Sequence, residues 1–545
     1  MIWLLRLHAL AILMVAAALA ALPAPAVAQD GEERPTTTIQ PYIEVSQVLA
    51  AQLSPVSDTL TFTQIAAGVD WNTQGRNSGA SVSLRYERNI GYGDAVDTDT
   101  ISGIARGSLA LVPRNLTLEA GALASRTRVD AGGAVSANPL VSEDAASQIY
   151  SLYAGPTFAA RTGAVEVTGN ASVGYNRFEA QDAAFDADGE PIDVFDDSVT
   201  YRGQVRAATR VGDPFPVGLA VTAGGFQEDI SNLDQRVRDV FVRADVTIPI
   251  APTIAIVGGV GYENVEVSSR DVLRNANGDP VIGPDGRFQT DSSAPRAIAF
   301  DVDGFLWDVG VLWRPSSRTS LSAFVGERYD SATYYGNFTY QPDRRSALAI
   351  NVYDSVSGFG GVLGNSLARL SSDFVAQRNP VSGDFGGLVS DEDGVGLVNA
   401  LGSVRSAAFR GRGMAASYRR QIGRLTAALG AGYDRRTFLA AEGTVLEELD
   451  GLTDESYYIT GALTRQLGRN ANLQANAYVN WFDAAAEGEG AGGDLTALGA
   501  SASYNRSLTE RLIARAAIAI DYFDPEFTSD DFATASALLG LRYNF

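Results

Sequence analysis

Three arginines spaced four residues apart are the residues whose type and spacing most directly suggest chemistry. The stretch "SVTYRGQVRAATR" carries Arg202, Arg206 and Arg210. Side chains alternate between the two faces of an extended strand, so all three would lie on one face. Three further arginines lie on the polar faces of other alternating segments: Arg243, Arg515 and Arg542. Since guanidinium groups raise the local concentration of anions, we predict that these arginines line an aqueous passage that favours anions.

Pairing with acidic side chains is the alternative role for these arginines. Asp245, Glu87 and Asp521 lie on comparable polar faces. An unpaired arginine in a wall of low polarity is costly, so internal pairs are expected. Paired arginines would leave the passage without net selectivity, and the sequence leaves both interpretations open.

Two acidic stretches offer oxygen ligands for Ca²⁺. Asp186 and Asp188 lie in "DADGE", and Asp391 and Asp393 lie in "DEDG". Carboxylate oxygens suit Ca²⁺, but neither stretch has the spacing of an EF-hand loop. A solvated charged loop is the alternative interpretation, and no cofactor is expected.

The residues on which most enzyme mechanisms depend are missing. The chain has a single histidine, His8, no cysteine, and 42 Lys+Arg residues that are all arginine. A histidine base, a thiolate metal site and a lysine-dependent phosphate loop are therefore excluded once His8 leaves with the leader. The formal net charge of −22 argues against nucleic acid as a partner. We expect a protein that is not an enzyme.

Residues 1–28 have the organisation of a signal peptide. Arg6 precedes an apolar run, two prolines follow it, and Ala26-Val27-Ala28 provides the small-x-small pattern before Gln29. Cleavage after residue 28 would leave 29–545 as the exported part. A retained membrane helix is the alternative.

Alternating segments of about ten residues fill the exported part. In "LQANAYVNW" (473–481), Leu, Ala, Ala, Val and Trp share one face, and Gln, Asn, Tyr and Asn share the other. No apolar run of about 18 residues follows the leader, so a closed barrel is the way for this chain to span a bilayer. A secreted array of β-sandwiches is the alternative.

Connections of two kinds alternate along the chain. Short, arginine-rich ones such as "VPRN" (112–115) and "RPSSR" (314–318) contrast with long acidic ones at 181–197 and 440–455. Short periplasmic turns and long extracellular loops are typical of outer-membrane barrels. We predict an all-β, transmembrane, antiparallel up-and-down barrel of about 22 strands, within 20–24. Both termini would lie in the periplasm of a bacterial outer membrane.

The connection at 359–409 is too long for a plain loop. Its stretch "NSLARLSSDFVAQ" (365–377) has Leu367, Leu370 and Phe374 at helical spacing, which predicts a short helix. We expect 29–545 to form a single barrel, with 359–409 either a long loop or an insert folded into the lumen. Roughly ten residues precede the first predicted strand, so we expect no separate N-terminal plug of the kind energy-coupled transporters carry.

The chain ends on a strict alternation, "LLGLRYNF". Leu539, Leu541, Tyr543 and Phe545 share one face of this segment. The pattern resembles the C-terminal signal of outer-membrane barrels, which implies recognition by the barrel-assembly machinery. An exposed strand edge is a template for pairing with another strand, which is the physical basis of such recognition.

A narrower resemblance covers residues 42–92, "YIEVSQVLAAQLSPVSDTLTFTQIAAGVDWNTQGRNSGASVSLRYERNIGY". The order of strand, short gap, second strand, Gly-Arg turn and "SLRY" strand is similar to the start of porin-2-type barrels. That group includes barrels associated with PEP-CTERM and exopolysaccharide gene clusters. "LVPRNLTLEAGALAS" (111–125) continues the likeness. The resemblance implies a porin-like outer-membrane barrel linked to surface-polysaccharide export, and it identifies no functional residues.

The expected function is passage of small polar or anionic solutes through a porin-like channel. The alternative is a non-enzymatic component of surface-polysaccharide export or assembly, with export proteins as partners. In either case the expected contacts are outer-membrane lipid, lipopolysaccharide and the barrel-assembly machinery.

Overall fold

One antiparallel sheet closes on itself to make the barrel. The computed structural model describes residues 36–93, 95, 97–129, 135–136, 146–179, 194–370, 375–383, 385–390, 404–484, 494–525 and 531–545. The sheet has 23 segments, of which Val135–Ser136 is a two-residue addition. The remaining 22 strands form a closed ring, because the first strand pairs with both the second and the last. The predicted all-β up-and-down barrel is confirmed, whereas the predicted signal peptide lies outside the described residues.

The 22 strands follow one another around the ring in chain order. Strands β1 to β11 are Thr36–Ser54, Asp58–Gln74, Ser78–Tyr92, Thr98–Val112, Leu116–Val129, Ala146–Thr162, Val165–Glu179, Asp197–Thr209, Gly218–Ile230, Gln235–Ala251 and Ile254–Ser269. Strands β12 to β22 are Ala297–Ser316, Thr319–Arg328, Ser331–Asp343, Ser346–Ser357, Phe409–Ile422, Leu425–Phe438, Thr453–Gln466, Ala471–Asp483, Leu495–Ser507, Leu512–Pro525 and Phe532–Asn544. One α-helix, α1, spans Phe359–Arg369, and Asn232–Asp234 and Glu447–Leu449 are 3-10 turns. A separate small sheet pairs Val375–Arg378 with Phe385–Ser390.

The two ends of the barrel differ in the length of their connections. At one end, tight turns such as 163–164 and 423–424 join neighbouring strands. Gly163 and Gly423 each have a φ of 59°, a left-handed conformation that glycine adopts without steric cost. The long connections, including 270–296 and 358–408, lie at the other end. The start of β1 and the end of β22 lie at the short-turn end, where Tyr42 pairs with Asn544.

The outer face of the barrel is apolar and the inner face is polar. In β1, Ile43, Val45 and Leu49 are exposed, while the alternate residues Glu44 and Ser46 are buried. Exposed aromatic residues toward the loop end include Tyr86, Tyr201, Tyr262, Tyr457 and Trp481, and those toward the turn end include Trp313, Tyr340, Tyr418, Tyr504 and Tyr543. Hydrocarbon and its two interfaces match such an apolar band between aromatic belts.

No helix within the described residues is long and apolar enough to cross a membrane.

Inward-facing aromatic rings lie over glycines of the adjacent strand. Tyr42 is directly opposite Gly68, and Tyr458 is directly opposite Gly432. A Cβ built on either glycine would lie 2.4 Å from the tyrosine ring, so each ring can lie there only because the residue beneath it has no side chain. The same pairing joins Gly121 with Tyr153, Gly310 with Phe324, Gly413 with Tyr353, and Gly499 with Tyr478.

The last strand presents its alternating apolar residues outward. Leu539, Leu541, Tyr543 and Phe545 are 69%, 49%, 39% and 64% exposed. Their polar neighbour Arg542 points inward and lies over the Tyr42 ring, 3.6 Å from its centroid. The four residues thus lie on the outer face of a completed seam, and their part in assembly stays a prediction.

Candidate functional site: the lumen and its inserted segment

Helix α1 lies inside the barrel and packs on the inner faces of β5 to β8. Phe359, Leu363 and Leu367 recur every four residues and are fully buried. They join a cluster with the inward-facing wall residues Ile104, Leu123, Ile149, Tyr153, Phe178 and Ile230. The predicted helix at 365–377 was therefore misplaced: the helix begins at Phe359 and ends at Arg369. The four-residue spacing of Phe359, Leu363 and Leu367 is the signal that would have located it.

A buried carboxylate from the wall holds the N-terminus of α1. Glu228, on β9, accepts hydrogen bonds from the backbone N–H groups of Gly358 at 2.8 Å and Gly361 at 2.9 Å. The Ser357 hydroxyl donates to the same carboxylate at 3.3 Å. The free N–H groups and the dipole of a helix N-terminus stabilise a negative charge there. A Cβ on Gly361 would lie 2.5 Å from the carboxylate oxygen, so this close approach requires glycine.

A guanidinium from the wall holds the other end of the helix. Arg106, on β4, donates to the carbonyl oxygens of Leu370 at 2.7 Å and Ala368 at 3.2 Å. The Nη2 atom that donates to Ala368 also bonds Glu119 at 2.8 Å. A positive charge complements the free carbonyl groups at a helix C-terminus. The wall thus supplies opposite charges to the two ends of α1.

Residues 375–383 dock on the wall where the last and first strands meet. Arg515 donates to the Pro380 carbonyl at 2.6 Å, and Gln64 donates to the Val381 carbonyl at 3.2 Å. The Val381 side chain packs with Val48, Ala50, Phe62, Ala517, Ala519 and Leu538. Within the segment 358–408, helix α1 and residues 378–383 therefore lie in the lumen and contact its wall at two separate places.

The predicted pore-lining arginines Arg206 and Arg243 form one ion-pair cluster on the inner wall. Arg206 bonds Asp245 at 2.7 Å, and Arg243 bonds Asp308 at 2.7 Å. Arg243 also lies 3.5 Å from Asp245 and donates to the Tyr335 hydroxyl at 3.0 Å. Each positive charge in this cluster therefore has an acidic neighbour.

Arg515 and Arg542 form pairs across the seam between β22 and β1. Arg515 bonds Glu44 at 2.9 Å, and Arg542 bonds Asp70 at 3.0 Å. Arg85 also forms an ion pair with Glu44 at 3.1 Å, and both of these side chains are almost fully buried. Of the predicted acidic partners, Asp245 meets two candidate arginines. Glu87 instead pairs with Arg85, and Asp521 accepts a hydrogen bond from Tyr478.

Arg202 and Arg210 differ from the other four candidates. Arg210 lies at the short-turn end, half exposed and 3.5 Å from Glu166. Arg202 lies over the Phe226 ring, 5.1 Å from its centroid. No ion pair of Arg202 is found with any described residue. Five of the six arginines therefore lie on four strands, β8, β10, β21 and β22, and Arg210 directly follows β8. All but Arg202 have an acidic side chain within 4.0 Å.

A hairpin in the connection after β11, which contains an Asn-Gly and an Asp-Gly pair, covers the loop end of the wall. It contains the bridges Val272↔Thr290, Arg274↔Pro280 and Ile282↔Phe288. From it, Arg287 donates to the carbonyl oxygens of Val194, Phe178 and Phe195. Burial raises the pKa of the neighbouring Asp196, which lies 3.9 Å from Arg287.

The four calcium candidates, Asp186, Asp188, Asp391 and Asp393, lie outside the described residues. Within the described ranges, no group of three or more potential ligands is placed to hold a metal ion.

Of the comparisons with known proteins, the one with solved structures returns matches. No family model matches the chain, and no curated protein matches it. The FrpB iron transporter from Neisseria meningitidis has a TM-score of 0.44 and 11% identity, over 93% of this chain and 81% of that chain. The ferric-catecholate import receptor Fiu from E. coli has a TM-score of 0.43 and 11% identity, over 92% and 81%. The siderophore receptor PiuA from Acinetobacter baumannii has a TM-score of 0.41 and 11% identity, over 95% and 82%.

The likeness to these solved structures is one of barrel architecture. Identities of 11% and TM-scores below 0.5 give no basis for assigning the substrates of these proteins to this chain. The resemblance to porin-2-type barrels and to their PEP-CTERM and exopolysaccharide-associated members finds no matching family model. What is established is the 22-stranded barrel itself.

Proposed function

We propose that this protein is an outer-membrane channel for small hydrophilic solutes, with a lumen narrowed by the segment 358–408. The short turns and both termini would face the periplasm. The observation that carries the proposal is a polar inner wall in a closed barrel, with α1 fixed to that wall by Glu228 and Arg106. A barrel of this strand number is wide enough for an aqueous passage unless something fills it.

The anion preference expected from the sequence is not part of this proposal. Arg206, Arg243, Arg515 and Arg542 each bond a carboxylate within 3.0 Å. Charges that are neutralised by a fixed neighbour contribute little to the long-range potential in a passage. No described contact favours the alternative role in polysaccharide export.

The test is the conductance of the purified protein in planar bilayers. We expect small, stable ion-conducting steps for the whole chain. Replacing 359–408 with a short Gly/Ser linker should give larger steps, because the wall contacts of α1 and of residues 375–383 are removed. Shortening the exposed hairpin tip 275–279, at the same end of the barrel, is the matched control and should leave conductance unchanged. Absence of conductance in folded protein with and without 359–408 would overturn the proposal.

A further inference from the structure

Eight consecutive strands, β13 to β20, present an inner wall whose central rows carry no charge. The charged inner residues of these strands lie to either side of those rows, with Arg328, Asp434 and Arg436 toward the loop end and Arg419 toward the turn end. Across five neighbouring strands, each residue of one row lies directly opposite the next: Gly499, Tyr478, Thr460, Gly430 and Ser417. We call this surface, from Ser320 on β13 to Ser503 on β20, the uncharged arc. Its polar members include Asn337, Asn351, Gln474 and Asn476. Amides, hydroxyls and tyrosine rings fill the arc, with alanine and glycine between them.

The exposure of the alternate residues on the same strands shows that the arc faces the lumen. Leu429, Ile459 and Leu463 alternate with the arc residues and are 55%, 46% and 37% exposed, as lipid-facing residues are. The register then places Thr460 and Asn476 toward the lumen. Charges limit the arc at both sides, with Asp308 and Arg243 beyond β13 and Asp521 beyond β20.

The inserted segment lies against charged wall residues outside the arc strands. The charged inner residues Glu44, Arg85, Arg106, Arg206 and Glu228 all lie on β1 to β9. Helix α1 packs mainly on β5 to β8, and residues 375–383 dock on the wall around β21 to β4. On the arc side, α1 packs on β15, and its Val362 reaches the cluster of Phe409 and Phe438 at the loop end of β16 and β17. The lumen that the described parts of the insert leave free is therefore bordered by the uncharged arc.

We propose that the solutes of this channel are uncharged and polyhydroxylated, such as sugars and polyols, and that they pass along the uncharged arc. This inference rests on the proposed function. Amide and hydroxyl groups both donate and accept hydrogen bonds, so they match sugar hydroxyls, which do the same. The Tyr458 and Tyr478 rings lie against the wall over Gly432 and Gly499 and add flat apolar surface. Ions gain no fixed partner on such a wall and lose hydration beside it.

Proteoliposome swelling with three solutes of matched size tests the solute class. The probes are glucose, glucuronate and glucosamine, which differ in charge. We expect glucose to enter faster than either charged probe by about tenfold. Entry of glucuronate or glucosamine as fast as glucose would overturn the inference while leaving the channel proposal standing. Absence of swelling with all three, together with absence of conductance, would instead overturn the channel proposal.

Charge placed on the arc tests the route. In a salt gradient, Asn476→Asp and Gln474→Glu should shift the reversal potential toward cation preference, because each places a carboxylate beside the passing ions. Asn476→Gln keeps the amide and is the matched control. Heat-modifiable mobility in SDS gels confirms that each variant is folded. Unchanged reversal potentials in both folded acidic variants would show that solutes do not pass along the arc.

Discussion

Single charged side chains of the wall decide where the inserted segment lies. Glu228 satisfies two backbone N–H groups at the start of α1, and Arg106 satisfies two carbonyl groups at its end. Both side chains are buried, so neither hydrogen-bond set competes with bulk water. The position of α1 therefore depends on two residues from separate strands as much as on its apolar face.

Removal of the Glu228 carboxylate is expected to loosen α1. Hydrogen bonds to a charged group contribute about 1.5–3 kcal/mol, so Glu228→Ala should raise the population of undocked helix at least about tenfold. The chain has no cysteine, so Leu367→Cys supplies a single buried thiol as the probe. We expect faster thiol labelling of that probe in Glu228→Ala.

The control for this measurement is Glu327→Ala, which removes an outer-face carboxylate bonded to Trp307. Labelling of the Leu367→Cys thiol should be unchanged in this control. Equal labelling rates with and without Glu228 would show that the carboxylate does not hold the helix.

Arg85 is expected to contribute strongly to stability. It bonds Glu44 at 3.1 Å and Glu87 at 2.9 Å, and all three side chains are nearly inaccessible. Breaking a buried pair from one side costs about 3–5 kcal/mol, because the partner charge is left uncompensated. Arg85→Met should therefore lower the free energy of unfolding in urea by that amount. The double variant Arg85→Met/Glu87→Gln should recover part of the loss, and an unchanged unfolding midpoint in Arg85→Met would contradict this account.

At the scale of elements, the strands were predictable and their long-range partners were not. Alternation over ten residues placed β19 and the other strands because it depends only on neighbours in sequence. Arg206 pairs with Asp245, two strands away, and Arg515 pairs with Glu44 across the seam. Such partners depend on register and barrel closure, which no local pattern encodes. The sequence left open whether 359–409 is a long loop or an insert in the lumen for the same reason, since the anchors Glu228 and Arg106 are distant in sequence.

Filling one of the ring-covered glycines should destabilise a strand pair. Gly432→Val would place a side chain against the Tyr458 ring, and overpacking of this kind costs about 1–3 kcal/mol. The folded band in SDS gels should therefore disappear at a lower temperature. Gly461→Ala, on the adjacent strand, is the control, because a Cβ there meets nothing within 4 Å. If the folded bands of the two variants disappeared at the same temperature, the Tyr458 ring would not require a glycine at position 432.

The terminal strand should matter for assembly more than for stability. Phe545 is 64% exposed on the outer face, so Phe545→Ser removes little buried surface. We expect the refolded variant to unfold within about 0.5 kcal/mol of the parent and to reach the membrane in smaller amounts in cells. Fractionation of cell membranes measures the second effect. Normal assembly in cells would contradict a recognition role for this residue.

At the scale of the whole molecule, the lumen has two unlike halves. One half carries the docked segment and the ion pairs that contact it. The other carries the uncharged arc, and the Arg436–Asp434 ion pair there lies toward the loop end. The sequence pointed to arginines because their spacing on β8 was conspicuous, whereas the uncharged arc is a pattern spread over eight strands that becomes visible only in register. The solute class is therefore inferred from the half of the lumen that contains the uncharged arc.

The rings that lie over glycines also bear on how the barrel moves. A slip of one strand past its neighbour by two residues, in either direction, would bring the rings of Tyr42, Tyr153, Phe324 and Tyr478 onto residues with a Cβ. These four contacts are distributed from the first strand to the nineteenth. Sliding between strands is thus blocked at several places around the circumference, and the cylinder should behave as a stiff frame. Opening and closing of the passage would then come from rearrangement of its contents rather than from breathing of the cylinder.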